Sequence, residues 1–189
     1  MADMTDHWIN NLRGRFIVFD GPDGSGKTTQ FHRMVRHIEQ QGLEVEAVRE
    51  PGGTVLGEKL RAMLLDPAND NITMRCEMLL YMASRAQLVA ERLEPAIKAG
   101  RVVIADRFVS STLAYQGTAG GISQDEIMAV AKVAVHNAWP DAVVIFDVDE
   151  QTAAKRLNPL LDRIEQRGID YHRRVRAGYK RQAEKDDIC

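Results

Sequence analysis

Short apolar runs alternate with longer amphipathic stretches along the chain. Phe16-Ile17-Val18-Phe19 is continuously apolar between Arg15 and Asp20, the pattern of a strand covered on both faces. Phe31, Met34, Val35 and Ile38 then recur at helical spacing, and Gly42 stands where such a helix stops. Glu44–Val48 reads as an edge-like strand, Thr54–Leu65 and Thr73–Lys98 as helices, and Val102–Ala105 as a third, buried strand. Ser123 and Glu126 have the spacing of a capping box, predicting a helix to about His136. Ala142–Phe146 is the fourth strand, and the chain after Gln151 is helical and highly charged. This succession predicts an α/β fold, a parallel sheet of four to five strands with helices on both faces. Such sheets bind ligands beyond the carboxyl ends of their strands. Here those ends fall at Asp20, Arg49-Glu50, Asp106-Arg107 and Asp147.

Composition narrows the partners. With 189 residues, 44% hydrophobic and 28% charged, the chain suits one globular domain and excludes long disorder or a coiled-coil rod. Twenty-five basic residues against 27 acidic ones give a net charge of -2, so no nucleic-acid partner is expected. Cys76 and Cys189 lie far apart with no CxxC or CxxH spacing, which argues against zinc and for a reducing compartment. No apolar run approaches the about 18 residues of a membrane span, and a cytoplasmic protein is expected. Residues 1–14 read as a flexible N-terminal extension, and 15–189 as the single domain.

Gly21-Pro22-Asp23-Gly24-Ser25-Gly26-Lys27-Thr28 fits G-x-x-x-x-G-K-[ST], after a predicted strand and opening a predicted helix. Its glycines let backbone N–H groups wrap phosphate oxygens. Lys27 would reach the β- and γ-phosphates of a nucleotide, Thr28 would ligate Mg²⁺, and Thr29 adjoins the same turn. An ordinary glycine-rich turn is the competing reading. The segment predicts a P-loop NTP hydrolase fold. No N-K-x-D segment is present, which argues against a GTPase. Acid–arginine pairs at the other strand ends suggest a kinase acting on a small phosphorylated acceptor.

Tyr81 and Arg85 are four apart on one helix face, where ring and guanidinium could stack on a base and bond its edge. A core aromatic with a structural ion pair fits the same spacing. Arg107 could clamp an acceptor phosphate while Asp106 orients it or holds Mg²⁺ through water, or the two form a simple salt bridge. Arg49 is either a second phosphate contact or a solvated strand terminus, and Asp23 is either a ligand contact or a turn former.

Several long segments resemble the bacterial thymidylate kinases. They are Arg49-Glu50-Pro51-Gly52-Gly53-Thr54 with Gly57-Glu58-Lys59-Leu60-Arg61, Leu79 to Gln87, Asp106-Arg107-Phe108, Ser111 to Gly117, and Asp162-Arg163-Ile164-Glu165. Order and spacing agree from about Arg15 to Lys180. The resemblance implies Mg²⁺-dependent transfer of the ATP γ-phosphoryl group to dTMP by a homodimer. It places Tyr81 and Arg85 on the thymine ring, Thr112 and Gln116 on its edge, and Tyr115 near the sugar. Arg49 and Arg107 go to the acceptor phosphate, and Asp23 to the 3′-hydroxyl. It also implies a lid at about 155–167 whose Arg156 and Arg163 join Lys27 and Arg107 as catalytic cations. A solvated charged helix is the plain alternative for that stretch. Gly120 and Asn158-Pro159 differ from the usual arginines of the family, whose final strand and helix are expected to be missing here. Two other functions remain compatible: a kinase for another deoxynucleoside monophosphate, and a catalytically silent nucleotide-binding paralogue.

Overall fold

The computed structural model describes residues 4–156 and 162–185. The expected residues Asn158 and Pro159 fall outside them. A 3-10 helix, Met4–Leu12, precedes β1 (Phe16–Asp20), α1 (Lys27–Gln40), β2 (Val45–Arg49) and α2 (Val55–Leu65). Next come α3 (Met74–Leu88), α4 (Glu94–Lys98), β3 (Val102–Asp106), α5 (Val109–Thr112) and α6 (Gln124–Val135). Last are β4 (Ala142–Ile145), α7 (Glu150–Ala154) and α8 (Gly168–Lys185). The four strands form one parallel sheet in the order β2-β3-β1-β4.

Side chains alternate across the central strands, so each apolar run feeds both faces. Phe16, Val18, Val103 and Ala105 share one core with residues of α3, α4 and α6. Phe19, Val102 and Ile104 share the other with Phe31 and Ile38 of α1. Ile9 is buried in that second core at 1% exposure. The N-terminal segment, expected as a flexible extension, is thus tied to the sheet by an apolar anchor in its 3-10 helix.

The stretch expected as one helix from Thr73 to Lys98 is interrupted. Val89–Leu93 widens to π-helical geometry, and the Glu94 N–H donates to the Val89 carbonyl. Pro95 explains the loosening, since it has no N–H and its ring crowds the preceding turn. Leu113–Ala119 is likewise π-helical and continues α5. It packs under α8 to form a third cluster, with Ala114 and Tyr115 against Tyr171, Val175 and Tyr179. The capping box at α6 forms as expected, with Ser123 and Glu126 bonding reciprocally.

Candidate active site

The β1–α1 connection builds an anion cradle. Gly26 caps α1 at φ 91° and contributes no side-chain cap, leaving the first-turn N–H groups directed outward. Gly24 has φ 75°, and a Cβ there would lie 2.7 Å from the Ala153 carbonyl oxygen, so only glycine fits between loop and α7. The Ser25 hydroxyl is buried without a hydrogen-bond partner among the described residues. The Lys27 ammonium is nearly enclosed, with Asp23 Oδ1 at 3.7 Å. Burial, followed by the nearby Arg107 charge, pushes its pKa down despite the surrounding carboxylates. A desolvated cation beside unpaired donors suits an anion. Arg156 donates to the Gly24 carbonyl at 3.1 Å, which places it against this loop.

Across the β1 and β3 ends stands Arg107. Its guanidinium donates to the Gly21 carbonyl at 3.2 Å, Ser111 Oγ at 3.0 Å and Tyr179 Oη at 3.1 Å. It also pairs with Asp23 and lies over the Tyr115 ring. Burial alone would lower its pKa, but Asp23 first and then neighbouring tyrosines and Asp20 hold it well above the ordinary arginine value. Burial would likewise raise Asp23, yet Arg107 and Lys27 keep its carboxyl far below the usual range. Fully buried Asp20 anchors the whole corner. It accepts from Ser110 Oγ at 2.6 Å, Ser111 Oγ at 2.7 Å and Tyr179 Oη at 2.6 Å.

Lys27, Asp23 and Arg107 face a cavity of about 330 Å³, a volume suited to a small ligand. Asp23, Lys27, Thr28, Asp106 and Arg107 form its phosphate-loop side. Tyr81, Thr112, Tyr115 and Gln116 form a mixed aromatic and polar wall, and Arg49 and Arg61 reach it from β2 and α2. Asp162, Ile164 and Glu165 close another side. The Thr28 hydroxyl donates to Asp106 Oδ2 at 2.7 Å. This hydroxyl–carboxylate pair, next to Lys27 at the cavity, fits Mg²⁺ held partly by substrate phosphates. No cluster of three or more His, Cys, Asp or Glu able to hold a metal occurs among the described residues.

The thymidylate kinase family model matches residues 19–189. The chain belongs to the thymidylate kinase family. It is 38% identical over 178 residues to the thymidylate kinase of Geobacillus sp. (strain WCH70), covering 92% of this chain and 85% of the relative. To that of Clostridium novyi (strain NT) it is 41% identical over 177 residues, covering 92% and 86%. The crystal structure of thymidylate kinase from Ehrlichia chaffeensis superposes with a TM-score of 0.72 at 31% identity, covering 93% of this chain and 85% of that one.

In this thymidylate kinase fold most of the expected residues converge. The loop from Gly21 through Pro22 and Asp23 to Thr28, with Thr29 in the first turn of α1, meets Arg107, Asp106, Tyr81, Thr112, Tyr115, Gln116 and Arg49 at one cavity. Two expected contacts lie elsewhere. Arg85, from α3, is buried at 1% exposure and does not line the cavity. Glu50 pairs with it at 2.6 Å, and Phe108 O and Thr112 Oγ1 take further N–H groups. Arg163 is also buried away from the cavity, bonded to Leu64 O at 2.7 Å and Glu77 Oε2 at 2.5 Å. Asp20, Glu50, Arg61, Glu77 and Ser111 also belong to this region, with no site role legible for them in the sequence alone. Position at strand ends pointed to Asp20 and Glu50, and Arg61 sits in a family-like segment; nothing local distinguished Glu77.

Proposed function

We propose that this protein transfers the ATP γ-phosphoryl group to dTMP, giving dTDP and ADP. One observation carries the reading: the enclosed cations Lys27 and Arg107 face a single cavity whose far wall presents Tyr81, Thr112 and Gln116. Two phosphate groups brought together repel unless cations neutralise them in the same dry space. Lys27 and the α1 N–H groups bind the donor phosphates, and Arg107 holds the acceptor phosphate. A dTMP phosphate oxygen attacks the γ-phosphorus while the bond to the β-bridging oxygen breaks, and ADP departs with that electron pair. No strong base is required, so these residues act by position and charge. Bound through Thr28 and Asp106, Mg²⁺ would supply further neutralisation at the phosphate oxygens.

Arg156, against the phosphate loop, is the lid arginine best placed to help. Arg85 supports the base wall by binding Thr112 from behind. Arg163 braces the lid segment against Glu77. Tyr81 offers the base a ring, and Tyr115, whose hydroxyl donates to Asp23 at 2.7 Å, borders the sugar with it. Exposed Leu56 and Met63 of α2 and Leu79 of α3 support a homodimer. No described helix is long and apolar enough to cross a membrane, and we assign the protein to the cytoplasm, where both nucleotides are available.

A coupled ADP-release assay with dTMP, dUMP, dCMP and dAMP tests the reading. Mg²⁺-dependent ADP release with dTMP preferred is expected. ATP binding without dTMP-dependent release would overturn it.

A further inference from the structure

Glu77 lies in α3 with no exposed surface, yet its two oxygens meet four donors. Oε1 accepts from Gln116 Nε2 at 2.8 Å and from Arg167 at 3.1 Å. Oε2 accepts from Arg163 and from Arg167, both at 2.5 Å. Arg167 also donates to Tyr171 Oη at 2.8 Å, and that hydroxyl donates to the Tyr115 carbonyl at 2.8 Å. The adjacent wall residues Tyr115 and Gln116 are thus both tied to the segment that begins at the cavity rim with Asp162.

We propose that Glu77 is a positioning residue that fixes which end of the Gln116 amide faces the acceptor and fastens the 163–171 segment behind it. A side-chain amide has a donor end and an acceptor end of nearly equal shape, so packing alone does not choose between them. A carboxylate accepts only, and it therefore draws Nε2 toward itself and leaves Oε1 for the cavity that Gln116 lines. An acceptor there matches a base carrying a ring N–H, as thymine does, and opposes the bare N3 of cytosine. The two arginines compensate the buried charge, which would otherwise be costly. They come from the segment bearing Asp162, Ile164 and Glu165, so the same carboxylate seats part of the cavity rim. A carboxylate that only neutralised two arginines would stabilise the fold without choosing among bases.

The proposal rests on the dTMP reading for its kinetic test but not for its spectroscopic one. Glu77→Gln removes the charge at nearly constant volume and lets Gln116 turn either way. In the folded variant, KM for dTMP is expected to rise about fivefold or more, and the dTMP-over-dCMP ratio of kcat/KM to fall about tenfold or more. KM for ATP should stay within about twofold, because Glu77 touches nothing at the phosphate loop. A folded variant with unchanged dTMP KM and unchanged selectivity would overturn the proposal. Should the variant not fold, hydrogen exchange of the Gln116 side-chain amide in the ¹⁵N-labelled native protein decides, its resonance assigned by loss in Gln116→Met. Protection of about tenfold or more over a free amide supports the bond to Glu77, whereas free-amide exchange refutes it. Native protein inactive on dTMP would remove the activity reading and leave this measurement intact.

Discussion

Arg107 occupies φ 74°, a left-handed conformation that costs a residue with a Cβ about 1–2 kcal/mol. Its own N–H is held by the Phe19 carbonyl at 2.9 Å, and its guanidinium by the ring of oxygens at the β1 end. The strain is sustained because it aims a five-donor fork into the cavity. Two substitutions separate aim from strain. Arg107→Ala and Arg107→Gly should both lower kcat/KM for dTMP about a hundredfold or more. The glycine variant should be the more stable of the two by about 1 kcal/mol, a melting difference of roughly 2–4 °C. Kinetics unchanged in either variant would refute the phosphate role, and an alanine variant as stable as the glycine one would refute the strain. At this scale the sequence was legible where function is local. Lys27, Thr28, Asp106 and Arg107 sit in contiguous motifs and appear together at the cavity. Arg85 and Arg163 do not line the cavity because carboxylates 35 and 86 positions away, Glu50 and Glu77, hold their guanidinium groups in buried ion pairs. Helical spacing shows which side chains share a face but not which distant carboxylate intercepts them.

The strands were legible as elements because both central ones are buried on two faces and read as unbroken apolar runs. The π-helical segments were not, since the widening depends on tertiary fit. In Leu113–Ala119 that fit is made with α8 through glycine. A Cβ on Gly178 would stand 2.9 Å from Thr118 Cβ and 3.1 Å from Ala114 Cα. Gly178→Ala therefore sets two effects against each other. Helix propensity favours alanine by about 1 kcal/mol, while forcing the helices apart costs about 1–3 kcal/mol. Both obstructing atoms lie on or next to backbone and cannot rotate away, so overpacking wins. A net loss of up to about 2 kcal/mol, or as much as roughly 4–8 °C in Tm, is expected by thermal unfolding. Tyr115 and Gln116 ride on the displaced segment, so KM for dTMP should rise as well. A higher Tm would show that the close approach is dispensable.

The two faces of the sheet are unequally supported at the scale of the whole molecule. Among the described residues, twenty buried side chains form the core on the α3, α4 and α6 side, but only seven form the one under α1. Ile9 is one of those seven, so the N-terminal segment supplies a sizeable share of the smaller core. It was not legible as structure because Ile9 and Leu12, the pair that packs in this core, make a single i,i+3 step, too short to mark a periodic face. Its position also separates stability from chemistry. Ile9 shares its cluster with Ile38 and Leu43, near the carboxyl end of α1, whereas Lys27 lies at the opposite end of that 14-residue helix, roughly 20 Å away at 1.5 Å per residue. Ile9→Ala removes buried methyl groups and leaves a cavity, a change that typically costs about 2–5 kcal/mol. Its Tm should therefore fall by roughly 4–20 °C. At 25 °C the folded fraction should keep KM for dTMP and ATP within about twofold, because the phosphate loop is fixed by Asp20, Asp106 and Arg107 rather than by the far end of α1. An unchanged Tm would mean that the N-terminal helix does not brace the sheet, and a large change in KM at full folding would mean that α1 transmits the loss along its length.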